Sequence, residues 1–118
     1  MAVALQARRE FEAGACDRRL LGELYRQYNP AVGDSELFVT RALSIFPRLN
    51  CGLASLYLRH QLQAGEIIRG TFRSASHTVL VADAVLIDIT ADQFGGPAVY
   101  VGKPVPPWRL PWSEKTDI

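Results

Sequence analysis

The sequence predicts an α+β fold in which N-terminal helices pack on a small antiparallel β-sheet. Through the first half of the chain, apolar residues recur at steps of three and four, the spacing of amphipathic helices. After Gly65 this spacing gives way to short runs rich in Val and Ile, which are typical of buried strands. Helices followed by consecutive strands are the pattern of an α+β domain.

Helical segments are expected over residues 3–27, 36–46 and 51–63. Gly14 offers a break in the first segment, which would then form two helices. Each segment is flanked by residues that start or stop helices: Asn29-Pro30, Asp34, Ser35, Pro47, Asn50 and Gly65. Asn50 is the candidate N-cap of the last helix, which begins at Cys51.

Short strands are expected over residues 67–72, 77–81, 84–90 and 98–101. Ala82-Asp83 is the predicted turn between the second and third strands, and residues 95–97 form a loop. Because Val and Ile occupy both faces of these strands, the sheet needs a cover. The tail contains four of the seven prolines and is expected to be irregular, held by Trp108 and Trp112.

The helices are expected to supply that cover. Their apolar stripe comprises Leu20, Leu21, Leu24, Tyr25, Leu37, Phe38, Ile45 and Phe46, all of which we expect to be buried. Arg8, Arg9, Arg18 and Arg19 fall between the apolar positions and are expected on a solvated face. The chain, residues 1–118, thus forms one domain with a helical cover (1–49), a core (50–101) and a Pro-rich tail (102–118).

Composition excludes several classes of function. The formal net charge of +1 argues against a nucleic-acid-binding module that works by neutralising phosphates. No apolar run approaches the roughly 20 residues of a membrane span, and Arg8, Arg9 and Glu10 interrupt the N-terminus too early for a signal peptide. We therefore expect a cytoplasmic protein whose two cysteines are free thiols; a Cys16–Cys51 bridge is the less favoured alternative.

Cys51 is the candidate nucleophile. It lies in the first turn of a predicted helix, where free N–H groups and the positive end of the helix dipole stabilise a thiolate. His60, nine residues further along the same helix, is about 13 Å away along the axis and cannot reach it. The base must therefore be His77, the other histidine of the chain.

Asp88 is the candidate partner of His77. A two-residue turn at Ala82-Asp83 would place His77 directly opposite Asp88, on one face of the hairpin, with Cβ atoms about 5 Å apart. An even change in loop length moves the two to a diagonal but keeps the face. A carboxylate beside an imidazole fixes its tautomer and stabilises its charged form. Asp88 also interrupts an otherwise apolar strand, where a charge needs a partner.

The order Cys51, His77, Asp88 resembles that of the papain-like and transglutaminase-like cysteine enzymes. The local sequence is similar to that of small bacterial proteins that carry a Cys, a glycine-bounded strand, a His and a further motif. That motif is Asp-(Ile or Leu)-Thr-x-(Asp or Glu)-Gln-Phe, here residues 88–94. The similarity covers residues 50–101 and not the N-terminal helices. It implies a papain-like core with the nucleophile at a helix N-terminus and a Cys-His-Asp triad.

The chain departs from papain at the oxyanion hole. Papain-type enzymes have a glutamine six residues before the cysteine, and this chain has Ile45 there. The donors must come from elsewhere, and the candidates are the backbone N–H of Cys51 and the side chains of Asn50 and Gln93. Gln93 is equally well explained as a turn residue that caps a strand end.

These residues predict an enzyme that transfers acyl groups from an amide, ester or thioester to water or to an amine, with no cofactor. Peptides, proteins and small amides or (thio)esters are the expected substrates, and a second copy or a partner protein could complete the cleft. Three alternatives remain: a metal site, which lacks the paired ligand spacings of zinc sites; a noncatalytic binding module on the same fold; and nucleic-acid binding through the arginine pairs.

Overall fold

Four helices precede a five-stranded antiparallel sheet in the computed structural model, which describes residues 1–111. The predicted α+β class is confirmed. The elements are α1 (Ala2–Ala13), α2 (Arg18–Tyr28), α3 (Ser35–Ser44), α4 (Cys51–Leu62), β1 (Glu66–Phe72), β2 (Ala75–Ala82), β3 (Val85–Asp88), a 3₁₀ helix (Ala91–Phe94), β4 (Tyr100–Gly102) and β5 (Trp108–Arg109). None of the described helices is long and apolar enough to cross a bilayer.

The helix boundaries follow from capping residues. Gly14 ends α1 in the left-handed conformation, so the break expected there is confirmed. Asp17 and Asp34 cap α2 and α3: Asp17 accepts two backbone N–H groups of the first turn, and Asp34 accepts one. The end of α4 differs from expectation, because Gln63 and not Gly65 adopts the left-handed conformation directly after the last helical residue.

The sheet has the strand order β4-β3-β2-β1-β5, with β2 at its centre. The turn after β2 consists of Asp83-Ala84, not Ala82-Asp83 as predicted, and both residues have positive φ angles of 50° and 64°. Positive φ at both central residues is the signature of the type I′ turn, which matches the twist of a hairpin. Val85 therefore pairs with Ala82. The predicted turn would have paired Val81 with Ala84, so the expected register of this hairpin was wrong.

The core has two parts, one on each face of the sheet. The helices cover one face through residues such as Phe11, Leu21 and Leu58 packed against Leu80 and Ile87. The other face carries a second core, formed by Phe72, Val79, Leu86, Ala91, Trp108 and Leu110. The expected cover is therefore confirmed for Leu21, but Leu37 and Ile45 are 44% and 41% exposed, against expectation, because α3 buries Val39 and Ala42 instead.

The described part of the tail, residues 102–111, is more regular than predicted. Trp108 and Arg109 form β5, which pairs with β1 at Phe72 and Thr71. This close approach requires Gly70, since a Cβ atom there would lie 2.3 Å from the backbone oxygen of Arg109. Trp108 is buried, as expected, and it closes the second core. The expected packing of Trp112 lies outside the described residues.

Arg8 is buried, so the expectation that all four arginines lie on a solvated face was wrong for this residue. Its side chain is buried and forms two parallel bonds to Asp92, 2.8 Å from Nη1 to Oδ1 and 2.7 Å from Nη2 to Oδ2. Nη1 also donates to the backbone oxygen of Ile89 at 2.7 Å, and the guanidinium lies 4.7 Å from the ring centre of Phe46. This face of α1 therefore packs on the segment that follows β3, whereas Arg9 stays exposed.

We expect Arg8→Met to lower the free energy of unfolding by on the order of 2–3 kcal/mol, because Asp92 and the Ile89 carbonyl lose a charged donor in a largely buried place. Arg9→Met is the matched control on the same helix and should change it by no more than about 0.5 kcal/mol. Urea unfolding followed by circular dichroism measures both. Equal effects of the two substitutions would contradict the structural role of Arg8.

Candidate active site

His77 and Asp88 are joined by a buried hydrogen bond. Nε2 of His77 lies 2.6 Å from Oδ2 of Asp88, and the two residues are 1% and 2% exposed. Because of the shifted turn, they are diagonal and not directly opposite, but they share the sheet face that points away from the helices. The carboxylate is thus an acceptor for the Nε2–H group, so in the neutral ring the lone pair lies on Nδ1, and in the charged ring Nδ1 carries the second proton.

Further donors compensate the buried carboxylate of Asp88. The indole Nε1–H of Trp108 donates to Oδ2 at 2.8 Å, and the backbone N–H and hydroxyl of Thr90 donate to Oδ1 at 2.9 and 3.4 Å. A buried charge is tolerated only when it is paired and hydrogen-bonded in this way. Trp108 is a site residue that the sequence reasoning missed, because it was predicted only to pack. The one signal for such a donor was that a carboxylate in an apolar strand, Asp88, requires hydrogen-bond donors.

Aromatic rings fix the plane of the imidazole. Phe94 meets the His77 ring edge to face, with centroids 5.3 Å apart, and Phe72 does so at 6.3 Å. Both rings belong to the second core, so His77 is held by packing on two sides and by Asp88 at its Nε2 end. The ring can therefore present Nδ1 in one direction only.

Cys51 begins α4 and lies against β2 beside His77 and Thr78. One turn further on, the hydroxyl of Ser55 donates to the backbone oxygen of Thr78 at 3.3 Å and fixes the helix to the strand. β3 pairs with β2 only at residues 80–82, so in the described chain no strand covers the adjacent edge of β2 at His77. This open edge is where the thiol and the imidazole meet.

The two groups shift each other's protonation. Burial acts to raise the pKa of Cys51, but interaction with the neighbouring His77 ring and with Thr78 outweighs it and leaves the pKa below its ordinary value. Burial acts to lower the pKa of His77, but Asp88 and Cys51 raise it to about 9. Both directions favour a thiolate–imidazolium pair at neutral pH. Nδ1 of His77 has no completed hydrogen bond among the described residues, so thiol and ring are neighbours poised to exchange a proton.

Cys16 provides an internal contrast. It is buried in the connection between α1 and α2, and burial together with the charge of Glu10 raises its pKa to about 12. Both cysteines are free thiols, as expected. The pKa values of the two thiols therefore shift in opposite directions, upward for Cys16 and downward for Cys51.

Gln93 lies beside the start of α4. Its Oε1 accepts the backbone N–H of Leu49 at 3.3 Å, and this bond assigns the orientation of the amide. The Nε2 atom is buried and has no hydrogen-bond partner in residues 1–111. A buried amide donor without a partner, tied to the residue two before the nucleophile, is suited to an oxyanion that forms only during reaction.

Asn50 does not fit the donor role predicted for it. Its Nδ2 already donates to the backbone oxygens of Ala42 and Arg48, each at 2.7 Å, and the residue is fully buried. Its side chain also makes no capping bond to α4. Asn50 instead holds the segment that leads into the nucleophile. The uncapped first turn leaves the N–H of Cys51 as the second candidate donor.

In residues 1–111, no three His, Cys, Asp or Glu side chains are arranged to hold a metal ion. Comparisons with models of protein families, with curated proteins and with solved structures find no match. The resemblance to papain-like and transglutaminase-like enzymes therefore stays a prediction from the sequence pattern. The function proposed below rests on the contacts, burial and charges of the site itself.

At pH 7 we expect iodoacetamide to alkylate Cys51 and to leave Cys16 unmodified in the folded protein. The alkylation rate of Cys51 should rise with a midpoint below the ordinary thiol pKa of roughly 8.5, and His77→Gln should move that midpoint upward. Peptide mass spectrometry across a pH series measures both thiols, with Cys16→Ala as the control. One shared midpoint for the two cysteines would contradict the activation of Cys51.

The imidazolium form of His77 should persist through neutral pH and lose its proton as the pH rises through about 9, since the pKa is raised to that value. Cys51→Ala should lower this pKa, because the thiolate is one of its causes. Ring ¹⁵N chemical shifts measured by NMR in both proteins report the protonation state. A neutral His77 ring at pH 7 in the unmodified protein would contradict the ion pair.

Proposed function

We propose that this protein is a cysteine-dependent acyl-transfer enzyme that acts on an amide, ester or thioester carbonyl. Cys51 is the nucleophile, His77 the acid–base group and Asp88 the residue that orients it. The observation that carries the proposal is the state of the His77 ring: Nε2 is bound by a buried carboxylate, while Nδ1 is buried, unpartnered among the described residues and close to the thiol. A buried ring nitrogen without a partner in residues 1–111, next to a thiol, provides a place for the thiol proton.

In the thiolate–imidazolium pair the thiol proton of Cys51 already lies on Nδ1 of His77, so acylation begins from the thiolate. The sulfur then attacks the carbonyl carbon, a C–S bond forms, and the carbonyl electron pair moves to oxygen. When the oxyanion collapses, the bond to the leaving nitrogen, oxygen or sulfur breaks, and His77 returns its proton to that group. Asp88 keeps the ring in place and stabilises its positive charge throughout.

The oxyanion is stabilised by donors that the resting protein leaves free. The side-chain Nε2 of Gln93 is the first, and the backbone N–H of Cys51 at the uncapped start of α4 is the second. The positive end of the helix dipole favours the same negative charge. Such preorganised donors stabilise the charge that develops in the transition state without any cost of reorientation.

The acyl-thioester is resolved by a second nucleophile. His77, now neutral, takes a proton from water or from an amine, which attacks the thioester carbon and displaces the sulfur of Cys51. Water gives a peptidase, amidase or deamidase, and an amine gives an amide-forming transferase. Peptides, proteins and small amides or (thio)esters all present the required carbonyl.

The arrangement supports a papain-like or transglutaminase-like core as part of the same proposal. Its nucleophile begins a helix, and its imidazole and carboxylate come from two antiparallel strands that follow the helix in the chain. The position of the oxyanion glutamine is different, because Gln93 follows the triad instead of preceding the cysteine. We propose that Gln93 supplies the oxyanion donor from a segment that follows the triad, in place of a glutamine that precedes the cysteine.

We expect p-nitrophenyl acetate to acetylate Cys51, and Gln93→Met to slow this acylation on the order of 100-fold by removing one oxyanion donor. Alkylation by iodoacetamide forms no oxyanion, so its rate should stay within about twofold in the same variant. Stopped-flow release of nitrophenolate measures acylation, and intact mass confirms the acetyl adduct on Cys51.

Gln61→Met is the matched control, since Gln61 is exposed on α4, away from the nucleophile. It should leave both rates unchanged. If Cys51 is alkylated but never acylated, the site is a reactive thiol on a binding module and not an acyl-transfer enzyme. If Gln93→Met slows both reactions equally, Gln93 acts on the thiol and not on the oxyanion.

A further inference from the structure

Cys51 opens onto a pocket of about 160 Å³ on the helix-covered side of β2. The walls are largely aromatic and aliphatic: the ring of Tyr25 stacks on that of Phe38 with centroids 4.2 Å apart, and Tyr28 and Leu49 complete the apolar lining. The volume is below the roughly 300–1,000 Å³ of sites that enclose a whole small ligand. It is suited to one side chain of a substrate whose remainder lies outside.

Part of this apolar lining is exposed in the described part of the chain, residues 1–111. Tyr28 is 45% exposed and Leu49 is 74% exposed, although both border the nucleophile. Leu49 also has a φ angle of 60°, in the left-handed region that is uncommon for a bulky residue. Strained backbone persists where the surroundings enforce it, and it clusters at functional sites. Here the strain presents a leucine beside the nucleophile and directs its N–H to Gln93.

Arg69 gives the pocket a charge. It lies on β1 opposite Thr78, on the same face as the pocket, and it forms no ion pair with any described residue. No acidic side chain among residues 1–111 lines the pocket. Arg69 is exposed, and a guanidinium binds carboxylates through two parallel hydrogen bonds, so a substrate carboxylate can bind there.

We infer that the pocket binds the C-terminal residue of a peptide or of an N-acyl amino acid, with an aromatic or large aliphatic side chain against Tyr25 and Phe38 and its free carboxylate on Arg69. The inference rests on the proposed function and names its substrate class. The bond cleaved is the amide that joins this residue to the preceding carbonyl. Cys51 forms a thioester with that carbonyl, the C–N bond breaks, His77 protonates the leaving amine, and water then releases the acid.

The charge preference can be tested without turnover, by comparing two alkylating agents of similar shape. Iodoacetate carries a carboxylate and iodoacetamide does not, so Arg69 should favour the former. We expect Arg69→Met to lower the ratio of the iodoacetate rate to the iodoacetamide rate at Cys51 by about tenfold. Arg59→Met, which removes the same charge from an exposed position further along α4, should leave the ratio within about twofold.

The substrate itself is tested with acetyl-Ala-Ala-Phe as the free acid and as the C-terminal amide. The acid should release phenylalanine about tenfold faster than the amide releases phenylalaninamide, and Arg69→Met should remove this difference. Tyr28→Ser should reduce the preference for a C-terminal phenylalanine over a C-terminal alanine. Mass spectrometry of the products measures each arm.

Different results would overturn the carboxylate site and the acyl-transfer function. An unchanged reagent ratio in Arg69→Met, or equal cleavage of acid and amide, overturns the carboxylate site while acetylation of Cys51 by p-nitrophenyl acetate still stands. Failure of that acetylation overturns the acyl-transfer function itself. A preference for the amide over the acid would show that the pocket takes an internal peptide segment, and it would likewise overturn the inference.

Discussion

The buried carboxylate of Asp88 is the constraint on which the rest of this structure depends. A charge that is 2% exposed persists only if the fold surrounds it with donors. Three parts of the chain provide them: His77 from β2, the nearby Thr90 from the segment after β3, and Trp108 from the tail. Satisfying Asp88 therefore closes the second core and draws the tail onto the edge of β1, as well as fixing the imidazole.

A second buried charge connects the helical cover to the site. Arg8 on α1 binds both carboxylate oxygens of Asp92 and the backbone of Ile89, the segment between Asp88 and Gln93. The 3₁₀ helix that carries Gln93 is thus anchored from the N-terminal helix. The cover does more than shield apolar strands, because it also supports the segment from which the oxyanion donor is proposed to come.

The sequence was sufficient to predict those features that depend on the spacing of apolar residues and on an even number of residues in the turn. Helix breaks, strands and the shared face of His77 and Asp88 follow from local spacing, and the shared face survives a turn displaced by one residue because the loop length stays even. Arg8, Trp108 and the exposed Leu37 could not be predicted, since each depends on which distant segment packs against it. Asn50 is the same case: its amide is taken by carbonyls of the preceding segment, which no local pattern reveals.

The short length of β3 links the fold to the chemistry. His77 belongs to the sheet face opposite the helices, and α4 packs on the other face, so an uninterrupted sheet would separate the imidazole from Cys51. β3 pairs with β2 at only three positions and then turns away through Asp88 and Thr90. This leaves the edge of β2 open at His77 and Thr78, where the thiol at the start of α4 reaches the ring. A longer β3 would fill this edge with its backbone, so the hydrogen bonds by which Thr90 turns the chain at Asp88 both end the strand and create the place where the nucleophile meets its base.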